Sequence, residues 1–216
     1  MKTEMKKMKC NYSLYLVTDS GLSRGRSHEE IVSCAIRGGA TVVQLREKDC
    51  CTREMIDMAR RLVTVCRAQG VPLIVNDRLD VALAADADGV HVGQDDMPVA
   101  IARKLLGPDK LLGVTAHTAA EALKAIEAGA DYIGASPIFA TATKSDAGKP
   151  IGLEGLKNIC RQCPLPVIGI SGVNAANAES VIRAGATGVA VVSAIVSAED
   201  VEKAARELAR IVADCS

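Results

Sequence analysis

Short apolar runs, rich in β-branched residues, alternate along this chain with longer segments whose apolar positions recur at helical spacing. The runs fall at 14–18, 41–45, 73–76, 89–92, 111–114, 132–135, 167–170 and 188–192. Many are almost continuously apolar, as expected of parallel strands covered on both faces rather than strands with one wet side. The segments between them read as amphipathic helices. Met55, Ala59, Leu62 and Cys66 fall on one helical face, and so do Val201, Ala204, Leu208 and Ile211.

Local signals agree with the periodicity. Ser27 with Glu30, and Thr118 with Glu121, have capping-box spacing, in which a hydroxyl and a carboxylate satisfy unpaired backbone donors at a helix start. Gly38-Gly39-Ala40-Thr41, Ala128-Gly129-Ala130-Asp131 and Ala184-Gly185-Ala186-Thr187 place glycine where a helix can end in the left-handed conformation. Each is followed at once by an apolar run. This recurring Gly-Ala-(Asp/Thr) joint is the nearest approach to an internal repeat.

Eight strand–helix units in 216 residues predict a single-domain (β/α)₈ barrel over 1–216, an α/β fold of the TIM type near its lower size limit. An open doubly wound sheet is the alternative. It is disfavoured because no Gly-x-Gly-x-x-Gly turn follows the first strand and because eight units is a large count for so short a chain. Residues 1–11 read as a basic N-terminal extension, and 140–150 as a mobile loop.

Composition narrows the function. Lysine plus arginine equals aspartate plus glutamate at 26 each, so no charge excess points to nucleic acid or an anionic membrane. One Phe, three Tyr and no Trp leave few platforms for stacking bases. The basic start leads into no apolar signal-peptide core, and no stretch has membrane-spanning length; a cytoplasmic location is expected. Eight cysteines are not needed to staple a chain of this size. Cys34, Cys66, Cys160 and Cys163 fall in predicted helices, where cysteine packs as a small hydrophobe. Cys50 and Cys51 lie in a loop close to the candidate site and read as bystanders, with a functional thiol as the alternative.

In a barrel, chemistry belongs at the C-terminal ends of the strands. There the sequence places Thr18-Asp19, Gln44-Leu45-Arg46-Glu47-Lys48, Asn76-Asp77, Gln94-Asp95-Asp96, Thr115-Ala116-His117, Thr141-Ala142-Thr143-Lys144, Gly169-Ile170-Ser171-Gly172 and Ser193. Arg46, Lys48 and Lys144 bring positive charge, and a guanidinium matches phosphate oxygens in bidentate fashion. Asp77 and Asp96 are hard oxygen ligands suited to one Mg²⁺ shared with a substrate phosphate. Both also precede predicted helices and could equally act as N-caps. His91, within a strand, reads as a satisfied core residue, and His28 as part of a solvated helix start. Gly172 and Ser193 follow strands seven and eight, a common phosphate site in barrels. Cations and carboxylates converging on one mouth suit a diphosphate.

At these motifs the sequence resembles the thiamine phosphate synthase family. The resemblance runs from Tyr15-Leu16-Val17-Thr18-Asp19 to Val192-Ser193-Ala194-Ile195 and includes Gly89-Val90-His91-Val92-Gly93-Gln94-Asp95-Asp96 and Pro137-Ile138-Phe139. It implies a transferase that joins 4-amino-2-methyl-5-hydroxymethylpyrimidine diphosphate to thiazole phosphate, giving thiamine phosphate and pyrophosphate. The implied route is dissociative: diphosphate leaves first and the thiazole nitrogen captures a pyrimidine carbocation.

Carried over by motif, Gln44, Arg46, Lys48 and Asn76 bind the pyrimidine diphosphate, and Asp77 and Asp96 hold Mg²⁺. Lys144 reaches the pyrophosphate from a lid, Thr141 and Thr143 hold the thiazole phosphate, and Gly172, Val192 and Ser193 hold that phosphate from the other side. Thr115 stands where serine is common and contacts the pyrophosphate. Catalysis is thereby assigned to Lys144, Arg46, Lys48 and Thr115, and the partners are small molecules only. A homo-oligomer is compatible with the sequence, which does not set its order. The chain departs from the family at Ala140, where proline is usual, and at Ser136 and Ser171, where glycine is common. A thiazole tautomerase-like relative and a non-catalytic binding protein for thiamine precursors are the rival readings. Neither requires the full set of cations and paired carboxylates.

Overall fold

Each apolar run forms a short strand, and each amphipathic segment lies as a helix against its outer side. The computed structural model describes residues 10–141 and 148–215. The strands are β1 (Leu14–Val17), β2 (Val42–Leu45), β3 (Leu73–Asn76), β4 (Gly89–Val92), β5 (Leu111–Ala116), β6 (Tyr132–Ala135), β7 (Val167–Ile170) and β8 (Gly188–Val191). The helices are α1 (His28–Arg37), α2 (Thr52–Ala68), α3 (Leu79–Ala84), α4 (Val99–Leu106), α5 (Ala119–Glu127), α6 (Gly152–Gln162), α7 (Ala178–Arg183), α8 (Ser193–Val196) and α9 (Val201–Asp214). All neighbouring strands are parallel, and β1 pairs with β8 through Leu14↔Val189, Tyr15↔Ala190 and Leu16↔Val191. The sheet is thus a closed barrel in sequence order, not an open doubly wound sheet.

Alternation along the strands divides the apolar residues into two cores. Leu14, Leu16, Val43, Leu45, Leu73 and Val75 pack outward under the helices. Tyr15, Val17, Val42, Ile74, Tyr132 and Ile168 fill the barrel interior. Burial on both faces explains the nearly unbroken apolar runs. Strand five extends two residues beyond the apolar run because Thr115 and Ala116 still pair with Gly134 and Ala135.

The predicted caps form at the hydroxyls: Ser27 Oγ accepts from the Glu30 N–H at 3.1 Å and Thr118 Oγ1 from that of Glu121 at 3.2 Å. Glu121 does not close the second box on Thr118, since its carboxylate accepts from the His117 N–H instead.

The Gly-Ala-(Asp/Thr) joint has a defined structure. Gly39, Gly129 and Gly185 have φ of 106°, 100° and 104°. At the first of these, the Ala40 N–H reaches back to Ala35 O and that of Gly39 to Ile36 O, the Schellman pattern. A fourth joint, Ala85-Asp86-Ala87-Asp88, follows the same path with Asp86 at φ 53°. The last residue of each joint then grips the strand before it. Thr41, Asp88, Asp131 and Thr187 give their backbone N–H to the carbonyls of Leu14, Leu73, Leu112 and Val167. Their side-chain oxygens accept the N–H of those same four residues, at 3.1, 2.8, 2.9 and 3.3 Å. Each clasp satisfies a donor at the start of an odd-numbered strand, an interaction worth about 1 kcal/mol net and costlier if lost.

Candidate active site

The C-terminal ends of the strands surround a cavity of about 570 Å³. Among the described residues, every position given a substrate or metal role from the sequence lines it: Gln44, Arg46, Lys48, Asn76, Asp77, Asp96, Thr115, Thr141, Gly172, Val192 and Ser193; Thr18, Asp19 and Glu47 of the predicted rim do not. Thr143 and Lys144 lie outside the described residues.

Alternation carries on past β2 and sorts its polar tail. Arg46 and Lys48 face the cavity, and Glu47 points away into a buried pocket behind them. There its carboxylate accepts from the Ser20 N–H (3.0 Å), Ser20 Oγ (2.7 Å) and His28 Nε2 (2.7 Å). Burial opposes its ionisation, but the His28 and Ser20 hydrogen bonds outweigh burial and hold it below the usual carboxylate range. His28 is accordingly not a solvated helix-start residue: it is 8% exposed, folded under this turn. Arg46 is steadied on two sides. Its N–H donates to Thr18 Oγ1, and its guanidinium pairs with Asp19 Oδ2 at 3.0 Å.

On the neighbouring wall stand the two carboxylates. Asp77 has φ 61°, a left-handed conformation that side-chain-bearing residues adopt at a cost. It does not cap α3, whose cap position is Arg78. Asp96 does not cap α4 either; Pro98 holds that position, and Asp96 Oδ2 instead accepts the Gly93 N–H at 2.7 Å. Neither carboxylate therefore occupies the cap position that the sequence also allowed. No three His, Cys, Asp or Glu side chains among the described residues stand close enough to enclose a metal by themselves. A pair of hard carboxylates in a cavity fits a Mg²⁺ ion that completes its shell with water and substrate oxygens, as this ion commonly does.

The far side of the mouth is made by β7, β8 and α8. Gly172 has φ 70°, and a Cβ there would stand 2.7 Å from Phe139 Cβ and from the carbonyl oxygen of Ala140, so only glycine fits. Ser193 begins α8, and Arg26 Nη2 ties the other end of that helix through Val196 O at 2.8 Å. The two serines at family glycine positions meet here: Ser136 Oγ and Ser171 Oγ are 3.1 Å apart, with Ser171 held at φ 80°.

Gln94, Asp95 and His117, placed on this rim from the sequence without a role, line the cavity as well, and the structure adds Lys149, Tyr15 and Tyr132. His91 lines it too; it is half-buried at the barrel's polar interior rather than sealed in the core. Inward alternation of β1, β4 and β6 is the signal that could have found Tyr15, His91 and Tyr132.

The cysteines stay apart from this chemistry. All eight are free thiols. Burial pushes Cys66 up to about 12 and Cys160 to about 11, which keeps both protonated. Cys163 is not within a helix as expected but ends α6, its thiol on Leu165 O.

Comparison with known proteins agrees with this geometry. The family model described as thiamine monophosphate synthase matches residues 14–195. A thiamine-phosphate synthase of Chloroflexus aurantiacus is 61% identical over 94% of this chain and 93% of its own. One from Clostridium novyi is 48% identical over 94% of this chain and all of its own. Among solved structures, a thiamine phosphate pyrophosphorylase from Pyrococcus furiosus aligns with a TM-score of 0.88 at 42% identity, over 95% of this chain and 97% of that one. A 3-hexulose-6-phosphate synthase, 21% identical with a TM-score of 0.70, shares the fold alone. The chain therefore belongs to the thiamine monophosphate synthase family, and with it to the transferases of thiamine biosynthesis.

Proposed function

We propose that the chain makes thiamine phosphate by a dissociative transfer in the cavity at the barrel mouth. The C–O bond between the pyrimidine methylene and the diphosphate breaks first, and the electron pair leaves with pyrophosphate. The pyrimidine-stabilised carbocation is then captured by the lone pair of the thiazole nitrogen. No protein nucleophile is needed, so the protein's work is to position two substrates and stabilise charge on the leaving group.

The observation that carries this reading is the convergence of Arg46 and Lys48 with Asp77 and Asp96 on a single cavity. Gln44 and Asn76 orient the pyrimidine. Arg46 and Lys48 bind its diphosphate, with Thr115 donating to the same group. Asp77 and Asp96 would hold Mg²⁺, which when bound supplies positive charge against the pyrophosphate oxygens. Thr141, Gly172, Val192 and Ser193 hold the thiazole phosphate. Thr143 and Lys144, which lie outside the described residues, would complete the two anion sites. A lid over 140–150, the role expected from the sequence for a segment whose residues 142–147 are not described, would shield the carbocation from water.

A coupling assay tests this. The protein, the pyrimidine diphosphate and the thiazole phosphate are combined with and without Mg²⁺, and both products are quantified. Thiamine phosphate and pyrophosphate are expected in equal amounts, only with the metal. Folded protein that binds the thiazole phosphate yet forms neither product would overturn the reading.

A further inference from the structure

Gln44 on β2 and Thr115 on β5 both line the cavity, and an unbroken series of side-chain hydrogen bonds joins them through the barrel interior. Gln44 Nε2 donates to the Tyr15 hydroxyl at 2.8 Å. The Tyr15 and Tyr132 hydroxyls are 2.8 Å apart. Tyr132 Oη lies 3.2 Å from His91 Nδ1, and His91 Nε2 lies 2.9 Å from Thr115 Oγ1.

Counting hydrogens fixes the direction of every link. An amide nitrogen only gives hydrogens, so the Tyr15 oxygen accepts from Gln44; its own hydrogen then goes to Tyr132, the other hydrogen-bond partner of that hydroxyl among the described residues. Tyr132 in turn directs its hydrogen to His91 Nδ1, which is then the ring nitrogen without one. The ring hydrogen sits on Nε2 and is given to Thr115. Having accepted, the Thr115 hydroxyl keeps its own hydrogen to donate elsewhere.

Two features hold the series in place. Burial above all drives both phenols far over their usual range, so each keeps its hydrogen. At Gly113 a Cβ would stand 2.1 Å from Tyr132 Cζ and 2.4 Å from His91 Nδ1, so glycine is what lets the phenol and the imidazole meet. Tyr15 and Tyr132 are 2% and 1% exposed, which shuts out water that could offer other partners.

We infer that His91 is a positioning residue, fixed as its Nε2–H tautomer by this relay, and that it thereby sets the Thr115 hydroxyl as a hydrogen-bond donor aimed at the departing diphosphate. The inference rests on the proposed placement of the diphosphate at Thr115. A donor fixed toward an oxygen that gains charge in the transition state costs no reorganisation when the bond breaks. The opposite polarity would present lone pairs to that oxygen.

The first test is nitrogen NMR of protein labelled with [¹⁵N]histidine, with the His91 signals assigned by their loss in His91→Asn. Nδ1 is expected in the unprotonated range and Nε2 in the protonated range. The reverse tautomer, or a ring protonated at both nitrogens at neutral pH, would overturn the inference without touching the site assignment.

Kinetics supply the second test. Tyr132→Phe removes the hydrogen that reaches Nδ1 and should lower kcat about tenfold, the worth of one ordinary hydrogen bond. KM for thiazole phosphate should not change. Thr115→Val should cost on the order of 10²-fold in kcat, as loss of a donor to a developing oxyanion does, while Thr115→Ser rescues it. Tyr132→Phe combined with Thr115→Val should be no slower than Thr115→Val alone; losses that multiply would mean independent action and overturn the relay. Wild-type turnover in Thr115→Val would overturn both the relay and the diphosphate placement. Tyr15→Phe, one link further back, repeats the kinetic test should Tyr132→Phe disturb the fold.

Discussion

At Asp77 the backbone adopts φ 61° so that a carboxylate, rather than the next helix cap, faces the cavity. Asparagine tolerates this conformation about as well as aspartate but carries no charge. Asp77→Asn is therefore expected to lose most Mg²⁺-dependent turnover while its melting temperature stays close to wild type. An unfolded or strongly destabilised variant would return the residue to a structural role. Glu47 behaves differently because it is turned away from substrate. With its folded-state pKa depressed below 4.5, it contributes stability that is present above that value and is lost as the pH falls through the folded-state value. Glu47→Gln should thus be less stable than wild type at neutral pH, and the gap in urea midpoint should close as the solution is acidified below about pH 4. A gap independent of pH would mean that packing, not charge, is what the carboxylate supplies.

Among the elements, the clasps between helix ends and odd-numbered strands are the least obvious stabilising device. Thr41→Val keeps the shape of the side chain but removes the oxygen that accepts the Leu14 N–H. A loss of about 1–3 kcal/mol in unfolding free energy is expected, the cost of leaving a buried donor unmet, with kcat unchanged. Chemical denaturation together with steady-state kinetics on the same sample would check both halves. The same elements show what a sequence can and cannot disclose. The strands were legible because burial on both faces leaves a near-continuous apolar run, and the joints because glycine marks a left-handed helix end. The fourth joint was hidden by Asp86, which takes that conformation without glycine. His91 is satisfied, as expected, but at the cavity rather than in a sealed core, because barrel closure brings Tyr132 and Thr115 to it from other strands. The charged rim at Arg46, Lys48, Asp77 and Asp96 was readable because each lies directly after a strand or in the short loop that follows it. Alternation implies that Glu47 turns outward, but its partners there, His28 and Ser20, are set by tertiary packing that no spacing encodes.

For the molecule as a whole, metal and substrate should act together. Two carboxylates are too few to bind Mg²⁺ tightly, and the remaining ligands must come from phosphate oxygens and water. Mg²⁺ alone is thus expected to leave the melting temperature almost unmoved, as is its removal by EDTA. Mg²⁺ with pyrophosphate should raise it by several degrees, following the linkage of binding to stability. Thermal shift in the four combinations of metal and pyrophosphate distinguishes this from an autonomous metal centre, for which the metal by itself would stabilise.

The four clasps also bear on where the polypeptide can be opened. They occur at alternate junctions and bind β1 to β2, β3 to β4, β5 to β6 and β7 to β8 by the same pair of contacts. In effect the barrel is a ring of four self-fastened quarters. New chain ends placed between quarters, as at the exposed Gly70 before β3, would leave every fastening intact, whereas ends cut at Gly129, inside a joint, would break one. Circular permutation and fragment complementation should accordingly succeed in steps of two strands and fail in steps of one.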